Sequence, residues 1–569
     1  MRLLLQLSDF TAVPAVTFTL NGRTTTVDDQ NTSLLDALRE DLDCRSVKDG
    51  CSPQGQCGCC TVWVDGAARV ACVTPLRRVS GRSVTTVEGL DDELRQRWVE
   101  AFVATGASQC GFCTPGILLR LAALEHGSRP VSRSAVESAL LAHLCRCTGW
   151  QSIVEAGCIA LGLEADHPEA EVADRRDPLL AAWRAQIEGP MFQSSGGDVV
   201  LGGGGFADDT APLDALVQLG ASEPSLATDL RSARSDSAKV QGRNSTVALV
   251  HPIDPAEGEW ALQLQTTWVE PAYVEPDASW CRPGGHPASP LANGGAFGGK
   301  RRSPVGEAAR AAAERVGAPV RVLWSREDVV RHGPKRPPLA LALRVDGSGS
   351  LRVGRTAGSP DLGAALDRVR AVAPDLEIEE VEITGPLVGP DLRGAIVAEV
   401  LAARAVVDSL QSAAPSPGRA EAEVTDPGGG RARVTISAGG PAERATLRVE
   451  VWAGEVLCEV TLRSYVLGAV HQALGLVWSE GIAVDDLGVP LDLTIRSFGI
   501  LSARDMPDVE VVCHQGDRWP RNGSDAVFAA TLAAAWLAEG TPPAWPTRRQ
   551  PRATGPVRRR HDAHQEESK

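Results

Sequence analysis

Apolar and polar residues alternate near the start of the chain, the pattern of strands with one buried face. In "VTFTL" and "TTTV" this alternation flanks Asn21-Gly22, which predicts a tight hairpin within 14–30. "SLLDALRED" has the spacing of a short helix, and "TVWVDG" and "RVACVTPL" predict two further strands joined through Asp65-Gly66. Residues 12–88 are therefore predicted to form a small sheet with one helix and a cysteine-rich loop.

Helical spacing replaces the alternation between 91 and 163. Four amphipathic segments with short connections predict a four-helix bundle over 89–163. Pro115 suits a first helical position with Thr114 as its cap, and Ser132 or Ser134 can cap the third helix. The second predicted domain is therefore helical.

The rest of the chain is longer and more mixed. Residues 164–177 are charged, and a linker is predicted over 164–189. Residues 190–545 predict one or two α+β domains with helices over 305–316, 396–410 and 525–538. The segment "ATLRVEVWAGEVLCEVTL" is predicted to be strand throughout. Residues 546–569 are rich in Arg and predict a disordered, solvated tail. The predicted fold class is α+β with several domains.

The net charge and the distribution of cysteines limit the classes of function that this chain can have. The net charge of −15 argues against nucleic acid as the main partner, and no 18-residue apolar run predicts a membrane span. Eleven of the 14 cysteines precede residue 160, which indicates metal or redox chemistry in a reducing compartment. With too short an apolar run at the N-terminus for a signal peptide, we expect a cytoplasmic protein.

The helical segment carries one candidate set of ligands, "CGFC" at 110–113 and "CRC" at 145–147. A C-x-C half with an Arg inside suits a negatively charged thiolate cluster, which needs N–H donors and a nearby cation. We predict a [2Fe–2S] centre over structural zinc or inert core cysteines. Its ligands are Cys110, Cys113, Cys145 and Cys147.

The second candidate set lies in "CSPQGQCGCC" at 51–60 and on the strand predicted after it. Plant-type ferredoxins use C-x4-C-x2-C with a distant fourth Cys. The predicted ligands are Cys51, Cys57, Cys60 and Cys72, and one extra residue after Cys51 is absorbed by a wider turn. The alternative takes Cys59 in place of Cys60.

These motifs carry a resemblance. Residues 12–163, through "CGCCTVWVDG", "QCGFCTPG" and "LCRCTGWQ", closely resemble the iron–sulfur subunit of the molybdenum hydroxylases, the xanthine dehydrogenase and aldehyde oxidase family. The resemblance implies a ferredoxin-like β-grasp [2Fe–2S] domain followed by a helical [2Fe–2S] domain. It also implies that Gln109 lies near a pterin, that the helical-domain cluster is nearest the molybdenum, and that the ferredoxin-like cluster lies on the side from which electrons leave the protein.

A glycine-rich stretch, "NGGAFGGK" at 293–300, precedes the predicted helix at 305. It matches the G-x4-G-K of a P-loop, but Arg301 replaces the Ser/Thr that binds Mg²⁺; a plain tight turn is a further alternative. It better resembles the glycine motif of the family's molybdopterin-binding subunit, as "GAVHQALG" at 468–475 resembles a late cofactor-contacting helix. The implied cofactor-binding residues are Gly294, Gly295, Phe297, Gly298, Gly299 and Gln472.

The second half departs from the family in length and chemistry. It is about half as long as a family molybdopterin subunit, and the residues before the glycine motif lack a stretch whose Gln contacts the metal's oxo ligand. Asp525 stands where the family has its general-base Glu, and it is a candidate either for that base or for a helix cap. Arg393 weakly matches a family Arg, and Glu270 and Glu275 are predicted to be structural.

The leading hypothesis is a molybdenum-dependent oxidoreductase of the xanthine dehydrogenase and aldehyde oxidase type. It would oxidise an aldehyde or N-heterocycle at a molybdopterin and pass electrons through two [2Fe–2S] clusters. Because no region resembles the family's flavin domain, a FAD-binding partner chain is expected, in a homo- or hetero-oligomer. The alternatives are a non-catalytic iron–sulfur subunit and a zinc-stabilised interaction protein.

Overall fold

The computed structural model describes residues 14–29, 31–127, 130–163, 177–189, 191–221, 225–236, 248–289, 297–412, 419–437 and 444–548. Four sheets account for the strands within these ranges, with the orders β2-β1-β5-β3-β4, β7-β6-β10-β9, β13-β12-β11-β8 and β14-β15-β16-β17. The strands are β1 Ala15–Leu20, β2 Arg23–Asp28, β3 Thr61–Val64, β4 Ala67–Val70, β5 Ser83–Thr85, β6 Leu216–Leu219, β7 Leu226–Ala227, β8 Leu262–Gln265, β9 Ala278–Cys281, β10 Val320–Leu323, β11 Leu339–Leu343, β12 Gly349–Arg355, β13 Leu376–Glu382, β14 Arg419–Thr425, β15 Arg431–Ser437, β16 Thr446–Trp452 and β17 Asp508–His514.

Helices pack on these sheets and against one another, giving the mixed α+β class that the sequence predicts. The α-helices are α1 Leu34–Asp36, α2 Asp92–Thr105, α3 Thr114–Ala122, α4 Arg133–Leu140, α5 Gln151–Ala160, α6 Pro178–Glu188, α7 Gly197–Val200, α8 Leu230–Asp236, α9 Val305–Val316, α10 Arg326–His332, α11 Gly363–Val372, α12 Val397–Ser412, α13 Glu459–Trp478 and α14 Ser524–Ala538. None of the helices within the described ranges is long and apolar enough to cross a bilayer.

The first sheet confirms the predicted hairpin. Asn21 and Gly22 both have positive φ, 49° and 81°, as a tight turn between β1 and β2 requires. The predicted strand "RVACVTPL" is only partly correct, because β4 ends at Val70. Cys72 therefore lies in a 3₁₀ turn, Ala71–Val73, and not on a strand. The predicted helix is also shorter, since α1 passes into a π-helical turn, Ala37–Asp41.

The four predicted helices of the second domain are confirmed as α2 to α5. Ser132 caps α4 by accepting a hydrogen bond from the N–H of Ala135. The prediction that Thr114 caps α3 is wrong, because α3 begins at Thr114 itself, directly after Cys113. The hydroxyl of Thr114 instead lies 3.1 Å from that of Ser108. The first turn of α3 thus starts directly at a predicted ligand.

The second half contains helices where the sequence predicts other structure. The predicted linker 164–189 includes α6, capped by Asp177, and residues 164–176 lie outside the described residues. Residues from Glu459 onward form α13 instead of the strand predicted through "CEVTL". The apolar helices α13 and α14 pack together in the core, because almost every residue of both is buried. The predicted tail falls outside the description from residue 549.

Buried ion pairs join the first domain to the second half. Arg39 pairs with Asp208 at 2.7 Å, Lys48 pairs with Asp209, and Glu40 accepts from Arg321 at 2.7 Å. Charges removed from water are tolerated where each is paired in good geometry. This network fixes the cysteine-rich loop relative to the rest of the chain.

Candidate iron–sulfur site

Four thiols of the first domain converge between the loop after residue 50 and the turn after β4. The thiol of Cys51 interacts with those of Cys57 and Cys72, and Cys72 also interacts with Cys60. All four are buried. The structure thus brings together the predicted ligands Cys51, Cys57, Cys60 and Cys72.

Backbone N–H groups face the sulfurs of this set. The N–H groups of Gln54 and Gln56 point at Sγ of Cys51 from 3.1 and 3.5 Å, and the N–H of Cys72 points at Sγ of Cys60 from 3.4 Å. The neighbouring thiols of Cys57 and Cys72 lower the pKa of Cys51 well below its ordinary value. A thiolate with N–H donors around it is the ligand form that an iron–sulfur cluster requires.

The extra residue after Cys51 is accommodated by left-handed backbone. Ser52 and Gly55 have φ of +60° and +71°, which lets the loop turn back so that Cys57 meets Cys51. A Cβ at Gly55 would come within 2.7 Å of Val73, so this wide turn also packs against the residue after Cys72. A wider turn is what the sequence predicts here.

Cys59 and Cys60 occupy different positions. The thiol of Cys59 donates to the carbonyl oxygen of Cys57 over 3.8 Å, and burial raises its pKa. The thiol of Cys59 also interacts with that of Cys57, whereas Cys60 contacts Cys72. The contact with Cys72 favours Cys60 as the third ligand, and the assignment stays a prediction.

The second set of thiols lies where α3 begins and where α4 is followed by the "CRC" loop. Sγ of Cys110 lies 3.5 Å from Sγ of Cys147, and Cys145 interacts with both Cys113 and Cys147. These two neighbours lower the pKa of Cys145 well below its ordinary value. Cys110 is half-buried, whereas the other three are buried.

The two sets meet through the backbone. The N–H of Leu144 donates a hydrogen bond of 3.0 Å to the carbonyl oxygen of Cys57. A Cβ on Gly58 would lie 2.5 Å from the His143 ring, and a Cβ on Gly116 would lie 2.5 Å from the carbonyl oxygen of Gly58. The two cysteine loops are therefore in direct contact, with no intervening layer of side chains.

Both sets fit a [2Fe–2S] cluster by donor chemistry: four thiols each, mostly buried, with N–H donors around the first set. Four thiolates can also hold a zinc ion, so the preference for iron over zinc stays a prediction on donor chemistry alone.

Two of the residues assigned to a molybdopterin by resemblance, Phe297 and Gln472, line a small cavity near the "CRC" loop together with Arg393. Arg393 donates to Ser524 at 2.8 Å and to Gln472 at 3.3 Å, and its guanidinium lies 4.0 Å from the Phe297 ring centre. The amide of Gln472 also donates to the carbonyl of Arg146 at 3.1 Å. The structure therefore groups Phe297, Arg393 and Gln472 at one place.

Gln109 lies on the other side of the same loop. Its Nε2 donates to the carbonyl of Cys147 at 2.9 Å and to the Ser464 hydroxyl at 3.0 Å. Its Oε1 has no hydrogen-bond partner among the described residues. Gln109 thus ties the cluster loop to α13.

The glycine motif is only partly described, because Gly294 and Gly295 lie outside the described residues. At Gly298, where φ is +97°, a Cβ would overlap the carbonyl oxygen of Asp391. Lys300 is buried and pairs with Glu275 at 2.5 Å, and α9 starts five residues later, at Val305. Neither Lys300 nor the start of α9 is therefore placed to bind a phosphate at Gly299, which argues against the P-loop and against an anion site at the helix start.

The two acids predicted to be structural are buried in ion pairs. Glu270 pairs with Lys335 at 2.9 Å, as Glu275 does with Lys300. Burial raises the pKa of Glu275 to about 7. These ion pairs agree with a structural role, which stays a prediction for both residues.

Asp525 is the second residue of α14 and does not cap it. The helix follows Gly523, and the N–H of Asp525 donates a hydrogen bond of 2.9 Å to the side-chain oxygen of Asn522. The cap interpretation is therefore wrong. The carboxylate lies 3.4 Å from Nε of Arg393, and burial raises its pKa. Its role as a general base stays a prediction.

An ion pair beside the helical-domain thiols joins one residue with a sequence signal, Arg146, to one without, Glu480. Arg146 lies between two predicted ligands, yet its guanidinium turns away and pairs with both carboxylate oxygens of Glu480, Nη2 to Oε2 at 2.6 Å. The predicted cation beside the helical cluster is therefore largely neutralised by a carboxylate. Only the Arg within "CRC" could be seen in the sequence, because Glu480 is 334 residues away.

A molybdopterin does not fit the described residues. The cavity lined by Phe297, Arg393 and Gln472 measures about 40 Å³. At roughly 10–15 Å³ per water, this is room for a few waters, whereas cofactor sites take about 300–1,000 Å³.

Comparison with known proteins supports the iron–sulfur assignment. Residues 86–158 match the model of a [2Fe-2S] binding domain. The nicotine 6-hydroxylase small subunit of Paenarthrobacter nicotinovorans is 44% identical over 138 residues, which are 24% of this chain and 83% of that protein. The nicotinate dehydrogenase small FeS subunit of Eubacterium barkeri is 36% identical over 140 residues, 24% of this chain and 88% of its own length.

The fold of the whole chain also has a solved counterpart. Aldehyde oxidoreductase from Desulfovibrio gigas superposes with a TM-score of 0.66, covering 92% of this chain and 97% of that one at 14% identity. In sequence, the chain matches a protein of that name at 31% identity over 231 residues, 39% of this chain and 24% of that protein. The likeness of the second half is therefore one of fold.

Proposed function

The chain belongs to the molybdenum hydroxylase family, and from that premise we propose that it carries electrons through two [2Fe–2S] centres. The observation that supports this most is the contact between the two thiol sets. Leu144, next to Cys145, is hydrogen-bonded to Cys57, which belongs to the other set. The proposed function is therefore electron transfer within an oxidoreductase.

Each part of this chain has a defined task in that proposal. Cys51, Cys57, Cys60 and Cys72 would hold one cluster, and Cys110, Cys113, Cys145 and Cys147 would hold the other. When bound, a [2Fe–2S] cluster accepts and donates one electron at a time. The N–H groups that face Cys51 and Cys60 stabilise negative charge on sulfur, and burial excludes water from seven of the eight thiols, all but Cys110.

Other chains are expected to complete the pathway. The matching proteins from Paenarthrobacter nicotinovorans and Eubacterium barkeri are named as small subunits, and we propose that this chain also acts in a hetero-oligomer. The family resemblance implies entry at the helical-domain centre, exit at the ferredoxin-like centre, and a flavin on a partner chain as acceptor. An aldehyde or N-heterocycle remains the proposed class of ultimate electron donor.

Electron counting tests this proposal. Anaerobic titration of the purified full chain with dithionite should consume about two electrons per chain, one for each cluster. Bleaching of the visible absorption should accompany both. A protein that purifies with little iron and takes up no electrons would refute the proposed function.

A further inference from the structure

We infer that the second half of this chain does not bind a molybdopterin, and that its own side chains fill the place assigned to one. The inference rests on the proposed electron-transfer function, because it concerns where the electrons originate. Three features of the described residues support this inference, in addition to the small volume of the cavity.

First, the charged groups around the cavity are paired with one another. Arg146 pairs with Glu480, and Arg336 pairs with Glu399, Nη2 to Oε2 at 2.8 Å. Arg393 is held by Gln472, Ser524 and Asp525. Guanidinium groups that bind a phosphate or pterin must offer free N–H groups. Those of Arg146 and Arg336 are engaged within the protein, and Nε of Arg393, which has no hydrogen-bond partner among the described residues, faces the carboxylate of Asp525 at 3.4 Å.

Second, a carboxylate already occupies the start of α14. Glu188, at the end of α6, accepts from the N–H groups of Gly523 at 3.1 Å and Ser524 at 2.8 Å. Arg184 on the same helix donates to the carbonyl of Arg521 at 2.6 Å. The N–H groups at a helix start are a natural anion site, and here the chain supplies its own anion.

Third, α13 packs directly on the helical cluster loop. A Cβ on Gly468 would overlap the carbonyl oxygen of Cys147, and a Cβ on Gly149 would overlap that of Leu467. Backbone-to-backbone contact of this kind leaves no layer into which a flat ring system could insert between these segments. The amide of Gln109 bridges the same contact.

The consequence is that electrons enter from a separate redox chain. Of the eight proposed ligands, Cys110 alone is only half-buried, and the other seven are buried. The edge of the helical-domain centre at Cys110 is therefore the point of entry. The second half then serves as a scaffold that fixes both cysteine loops.

The test is elemental and pterin analysis of the full chain, expressed in a host that makes the molybdenum cofactor. Aldehyde oxidoreductase from Desulfovibrio gigas, expressed in parallel, is the loading control. We expect about four iron atoms per chain with molybdenum and oxidised-pterin fluorescence at the level of a buffer blank. Molybdenum and pterin above the blank, in proportion to protein, would overturn the inference and leave the proposed electron transfer standing. Iron at blank level would instead overturn the proposed function.

A variant gives a second, independent readout. Because Arg393 holds three elements together, Arg393→Ala should lower Tm and leave the iron content and the blank-level molybdenum unchanged. Arg433→Ala, on an exposed side chain, is the control. It should leave Tm, the iron content and the molybdenum level unchanged. Molybdenum that is present in the unaltered chain and lost in Arg393→Ala would contradict the inference.

Discussion

The N–H of Leu144 donates to the carbonyl oxygen of Cys57 over 3.0 Å, and this hydrogen bond joins two loops that lie 87 residues apart in the chain. Leu144 precedes Cys145, so the bond connects a proposed ligand of one cluster with the residue next to a ligand of the other. A covalent and hydrogen-bonded path of this kind couples two redox centres without a mobile step. Substitutions around this bond should therefore have separate, measurable effects on each cluster.

The choice between Cys59 and Cys60 is tested by a matched pair of variants. Cys60→Ala should remove the ferredoxin-like cluster and reduce iron from about four to about two atoms per chain, because a thiolate ligand is lost. Cys59→Ala should retain about four, since that thiol donates to the Cys57 carbonyl. Iron analysis and visible circular dichroism measure both. The opposite ranking would assign the ligand to Cys59.

The contact between α13 and the helical cluster loop depends on Gly468. Gly468→Ala should displace the Cys147 loop and weaken the helical-domain cluster, although Gly to Ala within a helix ordinarily stabilises by about 0.5–1 kcal/mol. Gly306→Ala in α9 is the control, because its Cβ would meet no atom closer than 3.8 Å. Iron content after gel filtration is the measurement. Equal iron in both variants would show that the loop tolerates the methyl group.

The Arg146–Glu480 pair should stabilise the fold and set the charge beside the helical-domain cluster. Glu480→Gln leaves a buried guanidinium without its counter-charge, and we expect a loss of about 3–5 kcal/mol in the free energy of unfolding. The added positive charge should also raise the midpoint potential of that cluster. Potentiometric titration and denaturant unfolding measure the two effects.

The control for that variant is Glu510→Gln. The side chain of Glu510 is 61% exposed in its pair with Arg448, so the change should stay within about 0.5 kcal/mol. Similar losses in the free energy of unfolding for both variants would show that the buried pair stabilises the fold no more than the exposed pair does.

Stability should fall with rising pH through Asp426. Burial, and then the charge of Asp525, raise the pKa of Asp426 to about 6, against about 3.9 for an unfolded Asp. Between these values the folded state binds the proton more tightly, so the contribution is full below about pH 4 and lost above about pH 6. Asp426→Asn removes it, and the unfolding free energy of the variant relative to the parent should rise by up to about 3 kcal/mol across that window.

Denaturant unfolding at several pH values measures that difference. Asp367→Asn, on an exposed carboxylate, is the matched control variant. A flat difference for Asp426→Asn would show that this carboxyl is not perturbed by folding.

The extent to which the site could be predicted follows from sequence distance. The hairpin at Asn21-Gly22 and the grouping of Cys51, Cys57 and Cys60 are local, so spacing and turn chemistry sufficed. Cys72 was predicted to lie on a strand, but the strand ends two residues before it and Cys72 lies in the 3₁₀ turn that follows. Helix α6 was taken for a linker because charged residues precede it, while Arg184 and Glu188 contact residues 521–524, which are far away in the sequence.

The cavity shows the other limit of the sequence. Individual motifs resembled a cofactor site, but the space between them depends on side chains from distant segments. Glu188, Arg393 and Glu480 close that space through pairs that span more than 130 residues, and no local pattern contains them.

Electron paramagnetic resonance of the dithionite-reduced chain tests the central claim most directly, because each reduced [2Fe–2S] cluster carries one unpaired electron. The account predicts two distinct signals that each integrate to about one spin per chain, with only one lost in Cys60→Ala and only the other lost in Cys147→Ser. A single signal, or zinc in place of iron at either thiol set, would contradict it.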